Sequence, residues 1–413
     1  MKKVLILGGG FGGIRCALDL DKKSKGQIQI TLIDKNGYHL FLPSLYEVAS
    51  ACGVKKDTFA VKLRKTVCIP YGDIFADKNI NFVQAEISTV DLSTNNASTK
   101  GGEVLSYDYL IIALGSQTAD FGIPGVGEYA YQFKSINDAI AINKKIEKLI
   151  KKMDSGEKMD SLKVLIGGEG FNGVEFAAEI SGCVGKMCQD NNIKNRVASI
   201  ILIEAGPKIL PMVSEGERKV ISKRLTRLGV VLMEDSPIEE VRDGFVKLKN
   251  GRTLEGDIVI WTAGIKANEF LKSISGLLLT DKGKIVVDDN LRVQGRENVF
   301  AVGDNQEFVD TKTQKPVPAL AYTAIDQAKI VAYNIFNTMS GKKPKSYKPA
   351  YGVWIVPVGG KFALARLWGF SIGGFIGWIL REVVDFRYLA SVLGFKKAIN
   401  LFWQEITIFT KND

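Results

Sequence analysis

The residues VLILGGGFGGIR, from Val4 to Arg15, are nearly repeated later in the chain as VLIGGEGFNGVE, from Val164 to Glu175. Each copy has an apolar run suited to a buried parallel strand, then G-x-G-x-x-G, then the start of a helical pattern. Glycines in such a loop let the backbone approach a pyrophosphate, and the N-terminus of the following helix offers unpaired N–H groups to it. The repeat therefore predicts an α/β protein with two Rossmann-like dinucleotide-binding domains.

An acidic residue follows each glycine motif at the end of the next apolar run. Asp34 ends the run IQITLI, and Glu204 follows ASIILI. In Rossmann folds an acid about 20 residues beyond the glycines binds the adenosine ribose, and it favours a free 2′-hydroxyl over a 2′-phosphate. We therefore expect NAD rather than NADP at the second motif. The alternative, two glycine-rich turns in ordinary α/β units, does not explain why strand, glycines, helix and acid recur in the same order.

The composition fits a large enzyme without structural disulfides or zinc. A chain of 413 residues with 46% hydrophobic content can form the cores of two or three domains. Its five cysteines form no C-x-x-C pair and it has one histidine, which argues against a disulfide framework or a zinc site. Cys183 and Cys188 lie in a helical pattern and are predicted to be buried thiols. The net charge of +10 suggests an anionic partner surface, either nucleic acid or membrane.

Several further elements can be predicted along the chain. A helix is expected over residues 137–152, and Asn250-Gly251 signals a hairpin with a type I′ turn. The segment ENVFAVGDNQEF predicts a buried strand that ends at Gly303 and Asp304, and a helix should follow from about Ala319 to Asn337. The N-terminal MKK leads directly into a strand too short for a signal-peptide core, so we expect the catalytic body to lie in the cytoplasm.

The C-terminal fifth differs from the rest of the chain. The stretch LWGFSIGGFIGWIL, Leu367 to Leu380, is apolar throughout and is flanked by Arg366 and Arg381. It is shorter than the roughly 20 residues that a spanning helix needs, but its aromatics and arginines suit a segment lying in the lipid headgroup region. A second amphipathic helix is predicted over residues 396–411. The alternative is a buried core helix or an interface with a second copy of the chain, and nucleic acid is the weaker partner.

The order of the motifs resembles one family over essentially the whole chain. GGGFGG, YHLFLPSLYEVAS, YDYLIIALGS, GGEGFNGVE, WTAGI, VFAVGD and the amphipathic tail together resemble the type II NADH:quinone oxidoreductases. The glycine motifs are common to a larger group of flavoproteins with two dinucleotide-binding domains, and YHLFLPSLYEVA and the tail point to this branch. The resemblance implies that FAD binds at the first motif and NADH at the second. It also implies transfer of a hydride from NADH to FAD and of two electrons on to a membrane quinone, without proton pumping.

The resemblance also implies a domain organisation. Residues 1–118 and 265–350 would form the FAD-binding domain, and residues 119–264 an NADH-binding domain inserted into it. Residues 351–413 would form a C-terminal amphipathic helical membrane-association region. The protein is accordingly expected at the cytoplasmic face of the cell membrane as a peripheral protein that binds membrane lipid through its tail, with a homodimer as a further use of this surface.

Carried over by position, the resemblance assigns cofactor contacts at both motifs. The expected FAD contacts are Gly8, Gly10, Phe11, Gly12, Gly13, Asp34, His39, Gly115, Gly303 and Asp304. The expected NADH contacts are Gly168, Gly170, Phe171, Gly173, Glu204 and Gly264. His39 and Tyr46 match family positions close to FAD, where packing and proton transfer are both open. No metal ligand set is expected.

Glu175 is the candidate for a titratable group near the flavin. The first motif has Arg15 at the aligned position, and its charge suits a helix end that binds phosphate. A carboxylate at the second site would repel the NADH pyrophosphate unless it points elsewhere. Proton supply to the quinone, coupling of the two sites and a simple helix-dipole contact are the alternatives for this residue.

The quinone side departs from the family pattern. The family usually has A-Q-x-A-x-Q-Q at the start of the helix after VGD, and this chain has AYTAIDQ from Ala321 to Gln327. Gln327 is retained, whereas Tyr322 and Asp326 stand where glutamines are expected. Tyr322 could donate a hydrogen bond to a quinone oxygen and Asp326 could supply a proton, or the acceptor could differ from a common quinone.

Three alternative functions differ in what they require. A pyridine nucleotide-disulfide reductase needs a C-x-x-x-x-C pair, and the chain has only Cys52 in that region. A sulfide:quinone oxidoreductase needs a cysteine well beyond the VGD motif, and no cysteine follows Cys188. A flavoprotein redox sensor or assembly factor, which NADH reduces and which then binds a partner, stays open because of Tyr322 and Asp326.

Overall fold

The computed structural model describes residues 1–51, 59–157, 161–190 and 198–409. The chain forms two compact units. Unit 1 comprises Met1–Leu40, Ile69–Gln117 and Ile265–Tyr351, and unit 2 comprises Phe41–Cys68, Thr118–Gly264 and Gly352–Asp413. The first glycine motif therefore belongs to unit 1, and the second belongs to unit 2. The segment around Tyr46 and the C-terminal segment both belong to unit 2.

The elements alternate between strands and helices through most of the chain. The helices are α1 (Phe11–Ser24), α2 (Leu45–Ser50), α3 (Phe59–Val67), α4 (Tyr71–Ile74), α5 (Val126–Tyr129), α6 (Ile136–Asp154), α7 (Phe171–Asp190), α8 (Glu215–Arg227), α9 (Ala321–Met339), α10 (Phe375–Leu393) and α11 (Phe395–Phe409). The strands are β1 (Lys2–Leu7), β2 (Ile28–Asp34), β3 (Tyr38–Leu40), β4 (Cys68–Pro70), β5 (Ile80–Gln84), β6 (Ile87–Asp91), β7 (Asn96–Thr99), β8 (Val104–Ser106), β9 (Tyr109–Ile112), β10 (Ser116–Thr118), β11 (Tyr131–Gln132), β12 (Lys163–Gly167), β13 (Ser199–Ile203), β14 (Val230–Met233), β15 (Ile238–Arg242), β16 (Phe245–Leu248), β17 (Thr253–Glu255), β18 (Ile258–Trp261), β19 (Ile265–Ala267), β20 (Ile285–Val286), β21 (Val299–Ala301), β22 (Gln306–Glu307), β23 (Val309–Asp310), β24 (Lys315–Pro316), β25 (Val353–Pro357), β26 (Ala363–Leu367) and β27 (Phe370–Gly374).

Each unit is built around one five-stranded parallel sheet. The strand order is β21-β9-β1-β2-β5 in unit 1 and β11-β18-β12-β13-β14 in unit 2. The strand that precedes each glycine motif is central and nearly fully buried, which explains its continuous apolar sequence. The strand that leads to Asp34 or Glu204 lies directly beside it. The predicted α/β fold with two Rossmann-like sheets is confirmed.

The elements predicted between the motifs are present with small shifts. The helix predicted over 137–152 is α6, which begins after a capping box formed by Ser135 and Asp138. The helix predicted after VGD is α9. The hairpin at Asn250-Gly251 joins β16 to β17, but only Gly251 of the pair has a positive φ, at +85°. A type I′ turn needs two positive φ values, so that turn type was wrong.

The apolar stretch from Leu367 to Leu380 is not one interfacial segment. It includes the end of β26, a tight turn, β27 and the first turns of α10. Trp368 and Gly369 have φ values of +46° and +96° and turn the chain, and Gly374, at +82°, separates β27 from α10. The expected region of amphipathic helices thus contains the antiparallel sheet β25-β26-β27 as well as α10 and α11. The glycines decided this, because they allow turns that a helical interpretation of the apolar pattern ignores.

The arginines on either side of that stretch do not have the role that the sequence suggested. Arg366 pairs with Glu217 at 3.0 Å, and Arg381 is 9% exposed and pairs with three carboxylates. Neither is a free cation at a headgroup surface, because acids from other segments reach both. The second predicted helix, over 396–411, is α11, whose last predicted residues lie outside the described chain.

The cysteine predictions are confirmed where the structure covers them. Cys183 is 1% exposed, and Cys16 and Cys68 are also buried free thiols. Cys52 lies outside the described residues, and so does the side chain of Cys188.

Close packing of α10 on its sheet leads to a stability prediction. A Cβ on Gly377 in α10 would overlap the carbonyl oxygen of Ala363 in β26, so Gly377→Ala should lower the free energy of unfolding by about 1 to 3 kcal/mol. Gly182 in α7 has open space at its Cβ position, and Gly182→Ala should change stability by at most about +1 kcal/mol, in the stabilising direction. Chemical denaturation of both variants checks this, and equal effects would contradict the packing.

Candidate active site

In the first glycine loop, the first and last glycines have no room for a side chain, and the middle glycine lies in open space. Gly8 has φ +100°, and a Cβ there would overlap the carbonyl oxygen of Ala113. A Cβ on Gly13 would overlap the carbonyl oxygen of Gly8, whereas Gly10 has open space around its Cβ position. The first and third glycines thus close the turn against the sheet. The second leaves a free approach to the backbone, which is the shape that a pyrophosphate needs.

Three side chains hold the middle of this loop through Gly9. The Gly9 N–H donates to Asp34 Oδ2 at 2.7 Å, and its carbonyl oxygen accepts from the Tyr71 hydroxyl at 2.9 Å and from His39 Nδ1 at 3.2 Å. Asp34 Oδ1 also accepts from the N–H of Asn36 at 2.8 Å. The ribose acid is therefore part of the loop's own support. Tyr71 was missed by the sequence analysis, and its type and position carry no motif.

His39 is fully buried beside the first loop. Its ring packs edge-on against Phe11, with ring centroids 4.9 Å apart. Burial lowers the pKa of His39 to about 4, and the hydrogen bond to Gly9 opposes this shift only in part. The imidazole is neutral at physiological pH, and these contacts favour a packing role over proton transfer.

The VGD segment lies against the carboxyl end of β9 in the same unit. The Asp304 carboxylate accepts from the Ser116 hydroxyl at 2.7 Å, and Asn305 Oδ1 accepts from the Gly115 N–H at 3.0 Å. Gly303 has φ +79°, and its N–H donates to Gln327 Oε1 at 2.8 Å. Asn305, which is fully buried, was not singled out from the sequence.

The second glycine loop repeats the geometry of the first within unit 2. Gly168 has φ +102°, and a Cβ on it would overlap the backbone of Ala263. A Cβ on Gly173 would overlap the carbonyl oxygen of Gly168, and Gly170 again has open space. Glu204 Oε2 accepts from the N–H of the residue after Gly168, at 3.0 Å. The two loops are thus equivalent in backbone, in open centre and in the acid that supports them.

The segment WTAG lies beside this second loop. The Thr262 hydroxyl donates to the carbonyl oxygens of Gly167 and Gly168 at 3.0 and 2.9 Å. Gly264 has φ +153°, and a Cβ on it would come within 2.8 Å of the Phe121 ring. Phe171, at the start of α7, packs against Trp354, with ring centroids 5.8 Å apart.

These two loops fit nucleotide diphosphates. Each combines a glycine that leaves the backbone open, a helix that begins directly behind it and a carboxylate at the adjacent strand end. In unit 1 the buried Gln327 Nε2 has no hydrogen-bond partner among the described residues, so a polar donor remains at the start of α9. A dinucleotide cofactor with a hydrogen-bonding ring system suits that arrangement.

Glu175 belongs to a cluster of acids around one buried arginine in unit 2. Arg381, in α10, pairs with Glu47 at 2.6 Å, with Glu382 at 2.8 Å and with Asp385 at 3.1 Å. Burial raises the pKa of Glu175 to about 8, and the positive charge of Arg381 opposes this rise while Asp385 and Glu47 add to it. Burial likewise raises the pKa of Asp385 to about 7. Two carboxyls that exchange protons near neutral pH thus share one cation.

Tyr46 completes this cluster. Its hydroxyl donates to Glu47 at 3.2 Å, and the Arg381 guanidinium lies 5.7 Å from the centre of its ring. Burial raises the pKa of Tyr46 well above its usual value, so the phenol keeps its proton. From the sequence, Tyr46 was expected near FAD like His39, whereas its described contacts are to Glu47 and Arg381.

The three candidates on the quinone side have different surroundings in unit 1. Gln327 is fully buried and supports Gly303. The Tyr322 hydroxyl donates to the carbonyl oxygen of Ala350 at 3.0 Å, and Asp326 forms a surface ion pair with Lys329 at 2.8 Å. Tyr322 and Asp326 thus already have partners within the chain, and Gln327 is the one with an uncommitted donor.

Arg381, Glu47 and Asp385 were missed as site residues. The i,i+4 spacing of Arg381 and Asp385 in REVVD identifies them as neighbours on a helix. The same spacing is found in exposed ion pairs, so it does not indicate burial. Two other acids of the cluster, Glu47 and Glu175, come from α2 and α7. No local signal in the sequence connects these segments.

Comparison with known proteins gives consistent results. The family model described as pyridine nucleotide-disulphide oxidoreductase matches residues 2–328. A type II NADH:quinone oxidoreductase of Staphylococcus epidermidis is 30% identical over 408 residues, which are 96% of this chain and 98% of that protein. The enzyme of the same name from Staphylococcus aureus strain NCTC 8325 is 30% identical over 407 residues, with the same coverage.

Solved structures show the same fold. NDH2 from Plasmodium falciparum, in complex with NADH, matches with a TM-score of 0.84 and 22% identity and covers 98% of both chains. The sulfide:quinone oxidoreductase of Aquifex aeolicus matches with a TM-score of 0.79 and 19% identity, over 100% of this chain and 96% of that one. At these identities the two matches establish the fold alone.

The buried His39 gives a pH dependence of stability. Its pKa is lower in the folded protein than its usual 6.5, so the unfolded chain binds the extra proton first as the pH falls. Stability is therefore lost below pH 6.5, and between pH 7 and pH 5 this group should remove about 2 kcal/mol. The variant His39→Gln, which can still donate to Gly9, should lack this component. Denaturant unfolding of both proteins at the two pH values measures it, and parallel losses would contradict it.

Proposed function

Because the chain belongs to the pyridine nucleotide-disulphide oxidoreductase family and, within it, to the type II NADH:quinone oxidoreductases, we propose that it uses FAD to oxidise NADH and reduce a quinone. No proton pumping is part of this reaction. The observation that carries the proposal is the pair of equivalent glycine loops, each supported by its own ribose acid. One loop would hold a resident cofactor, and the other a substrate that binds and leaves.

FAD, when bound, accepts a hydride from a nicotinamide and gives up an electron pair to an acceptor. The residues that would hold it in unit 1 are Gly8, Gly10, Phe11, Gly12, Gly13, Asp34, His39, Gly115, Gly303 and Asp304. Gly10 would leave room for the pyrophosphate, and Asp34 would accept a hydrogen bond from the adenosine ribose. Tyr71 and His39 would hold the loop through the Gly9 carbonyl oxygen. The free Nε2 of Gln327 would donate to the ring system.

NADH would be held in unit 2 by Gly168, Gly170, Phe171, Gly173, Glu204 and Gly264. Glu204 Oε1 and Oε2 already accept from two backbone N–H groups, which fixes the carboxylate for the ribose hydroxyls. A 2′-phosphate would meet this negative charge, so NADH is preferred over NADPH. Phe171 and Gly264 would border the nucleotide.

Glu175 would supply one of the two protons that quinone reduction consumes. Its raised pKa, about 8, keeps a proton on the carboxyl at neutral pH, as a general acid requires. Arg381 and Asp385 would act through Glu175, because the cation and the second titrating carboxyl set the charge around it.

A second acceptor class is favoured by one observation. Tyr322 and Asp326 are engaged with Ala350 and Lys329, so neither offers a free group in place of the family's glutamines. If the acceptor is a protein partner and not a quinone, NADH would reduce the flavin and the reduced protein would pass its electrons to that partner.

The reaction is tested by anaerobic titration of the FAD-loaded protein with NADH, followed by a short-chain quinone, while the flavin absorbance is recorded. We expect bleaching by NADH and recovery with quinone. Recovery should slow as the pH rises through about 8, because Glu175 then loses its proton. Bleaching without recovery would favour the protein partner, and absence of bleaching would refute the proposal.

The variant Glu175→Gln separates the two half-reactions in the same experiment. We expect recovery with quinone to slow by about a hundredfold or more, since a general acid contributes about 10² to 10⁴, while bleaching by NADH is kept. Glu147→Gln, in an exposed ion pair of α6, is the control and should behave as wild type. Unchanged recovery in Glu175→Gln would remove this residue from the mechanism.

We also propose that the C-terminal part of unit 2 binds the cytoplasmic face of the cell membrane as a peripheral surface. In the described ranges no helix is both long and apolar enough to cross a bilayer. Large apolar side chains are instead exposed on the β26–β27 turn and on α10 and α11. They are Trp368, Phe370, Phe375, Ile376, Ile379, Val383, Val384, Phe395 and Trp403. Trp368 is 81% exposed, and exposed Lys396 and Lys397 add positive charge.

Vesicle flotation tests the surface. Replacing Trp368 and Phe370 together with glutamate should weaken binding to anionic vesicles by at least about tenfold, because each side chain buries apolar area worth about 1.5 to 3 kcal/mol. The matched control replaces two exposed valines of unit 1, Val104 and Val309, with glutamate and should still float. If the surface instead joins two copies of the chain, the first double variant changes the molecular mass in solution and the wild type does not float.

A further inference from the structure

The two glycine loops differ between their first two motif glycines. The first loop has Gly9 between its first two motif glycines, and the second loop has Glu169. A Cβ on Gly9 would overlap the Tyr71 hydroxyl, so the first loop has no room for a side chain. The second loop accommodates a complete glutamate side chain, which is 0% exposed. An acid in a loop expected to bind a pyrophosphate needs an explanation.

The Glu169 carboxyl is buried, and no cation among the described residues acts on it. Neither of its oxygens makes a hydrogen bond of normal geometry to any residue that the structure describes. The charged side chains that act on it are Glu204, which follows β13, and Glu234, which follows β14, and both are carboxylates. Its own N–H donates to Glu204 Oε2 at 3.0 Å, so the position of Glu169 is tied directly to that of the ribose acid.

The surroundings of Glu169 favour the neutral carboxyl. Burial raises the pKa of Glu169 to about 8, the charges of Glu204 and Glu234 add to the rise, and the backbone N–H of Met233 opposes it. Ionisation would place a buried negative charge close to the carboxylates of Glu204 and Glu234, in a loop proposed to bind a dinucleotide diphosphate. It would also push the Glu204 carboxylate away from the N–H that holds it, because like charges at close range repel.

We infer that Glu169 is a positioning residue of the nucleotide site: the loop binds the diphosphate and ribose while the Glu169 carboxyl is neutral, and binding draws a proton from solvent onto it wherever the free protein has lost that proton. The inference rests on the proposed binding of NADH at this loop. The proton goes from water or buffer to the carboxylate, and no other bond changes.

This coupling has a sign that can be measured. A bound diphosphate carries negative charge, so it disfavours ionised Glu169 and raises the affinity of that group for its proton. Well below pH 8 the carboxyl is already protonated and binding takes up nothing. Above pH 8 binding should take up a fraction of a proton, and the dissociation constant should rise by up to about tenfold per pH unit.

Calorimetric titration of the oxidised, FAD-loaded protein with ADP-ribose tests the inference without turnover. Each titration is run at pH 6.5 and pH 8.5 in two buffers that differ in ionisation enthalpy, because the difference between buffers gives the protons taken up. We expect uptake near zero at pH 6.5 and roughly half a proton or more at pH 8.5. Wild-type binding without uptake at pH 8.5 would overturn the inference.

Two variants test whether Glu169 is the group that takes up the proton. Glu169→Gln keeps the shape of the side chain and should abolish most of the uptake at pH 8.5 and flatten the pH dependence of the dissociation constant. Glu169→Gly reproduces the first loop and serves the same purpose if the glutamine variant does not fold. Glu239→Gln, in a surface ion pair of β15 with Lys247, is the control and should keep the wild-type uptake.

The outcomes separate this inference from the proposed function. Uptake that persists in both Glu169 variants would assign the proton to another group and overturn the inference, while NADH binding stands. Failure of ADP-ribose to bind at either pH would refute the nucleotide site itself, and the inference with it.

Discussion

Both glycine loops depend on a hydrogen bond from a loop N–H to a carboxylate at the end of the neighbouring strand. In unit 1 the acceptor is Asp34, and in unit 2 it is Glu204. The bond fixes the loop to the sheet at the point where the chain turns into a helix. It also holds the acid in place, so one contact stabilises the turn and fixes the carboxylate that we propose binds a ribose. The glycines follow from this geometry, because the chain must pass close to the next strand at Gly8 and Gly168.

The shared backbone leaves each loop free to differ in its side chains. Tyr71 and His39 fill the space around Gly9 with uncharged groups that hold its carbonyl oxygen, which suits a cofactor that stays bound. The second loop has a buried acid, Glu169, in the corresponding place, and no cation among the described residues acts on it. The inferred proton dependence of this loop would suit a substrate that binds and leaves.

Arg381 organises a second concentration of charge in unit 2. One buried guanidinium pairs with Glu47, Glu382 and Asp385, and its charge also acts on Glu175. Removing the arginine would leave several acids buried without a cation, which is among the more costly changes a core can undergo. The cluster is thus both a structural requirement and the setting that keeps two carboxyls titrating near neutral pH.

The sequence by itself determined the fold class, the two glycine loops, the acids Asp34 and Glu204 beside them and the helices α6, α9 and α11, because these depend on local periodicity and on glycines within a few residues. It did not show the hairpin inside the apolar C-terminal stretch, where Gly369 and Gly374 override a continuous hydrophobic pattern. Only the tertiary structure decided that Tyr71 supports Gly9, that Glu169 is buried among acids and that Arg381 faces carboxylates rather than a surface. Each of these contacts joins segments far apart in the chain, and burial, which sets their charge states, is a property of the packed fold.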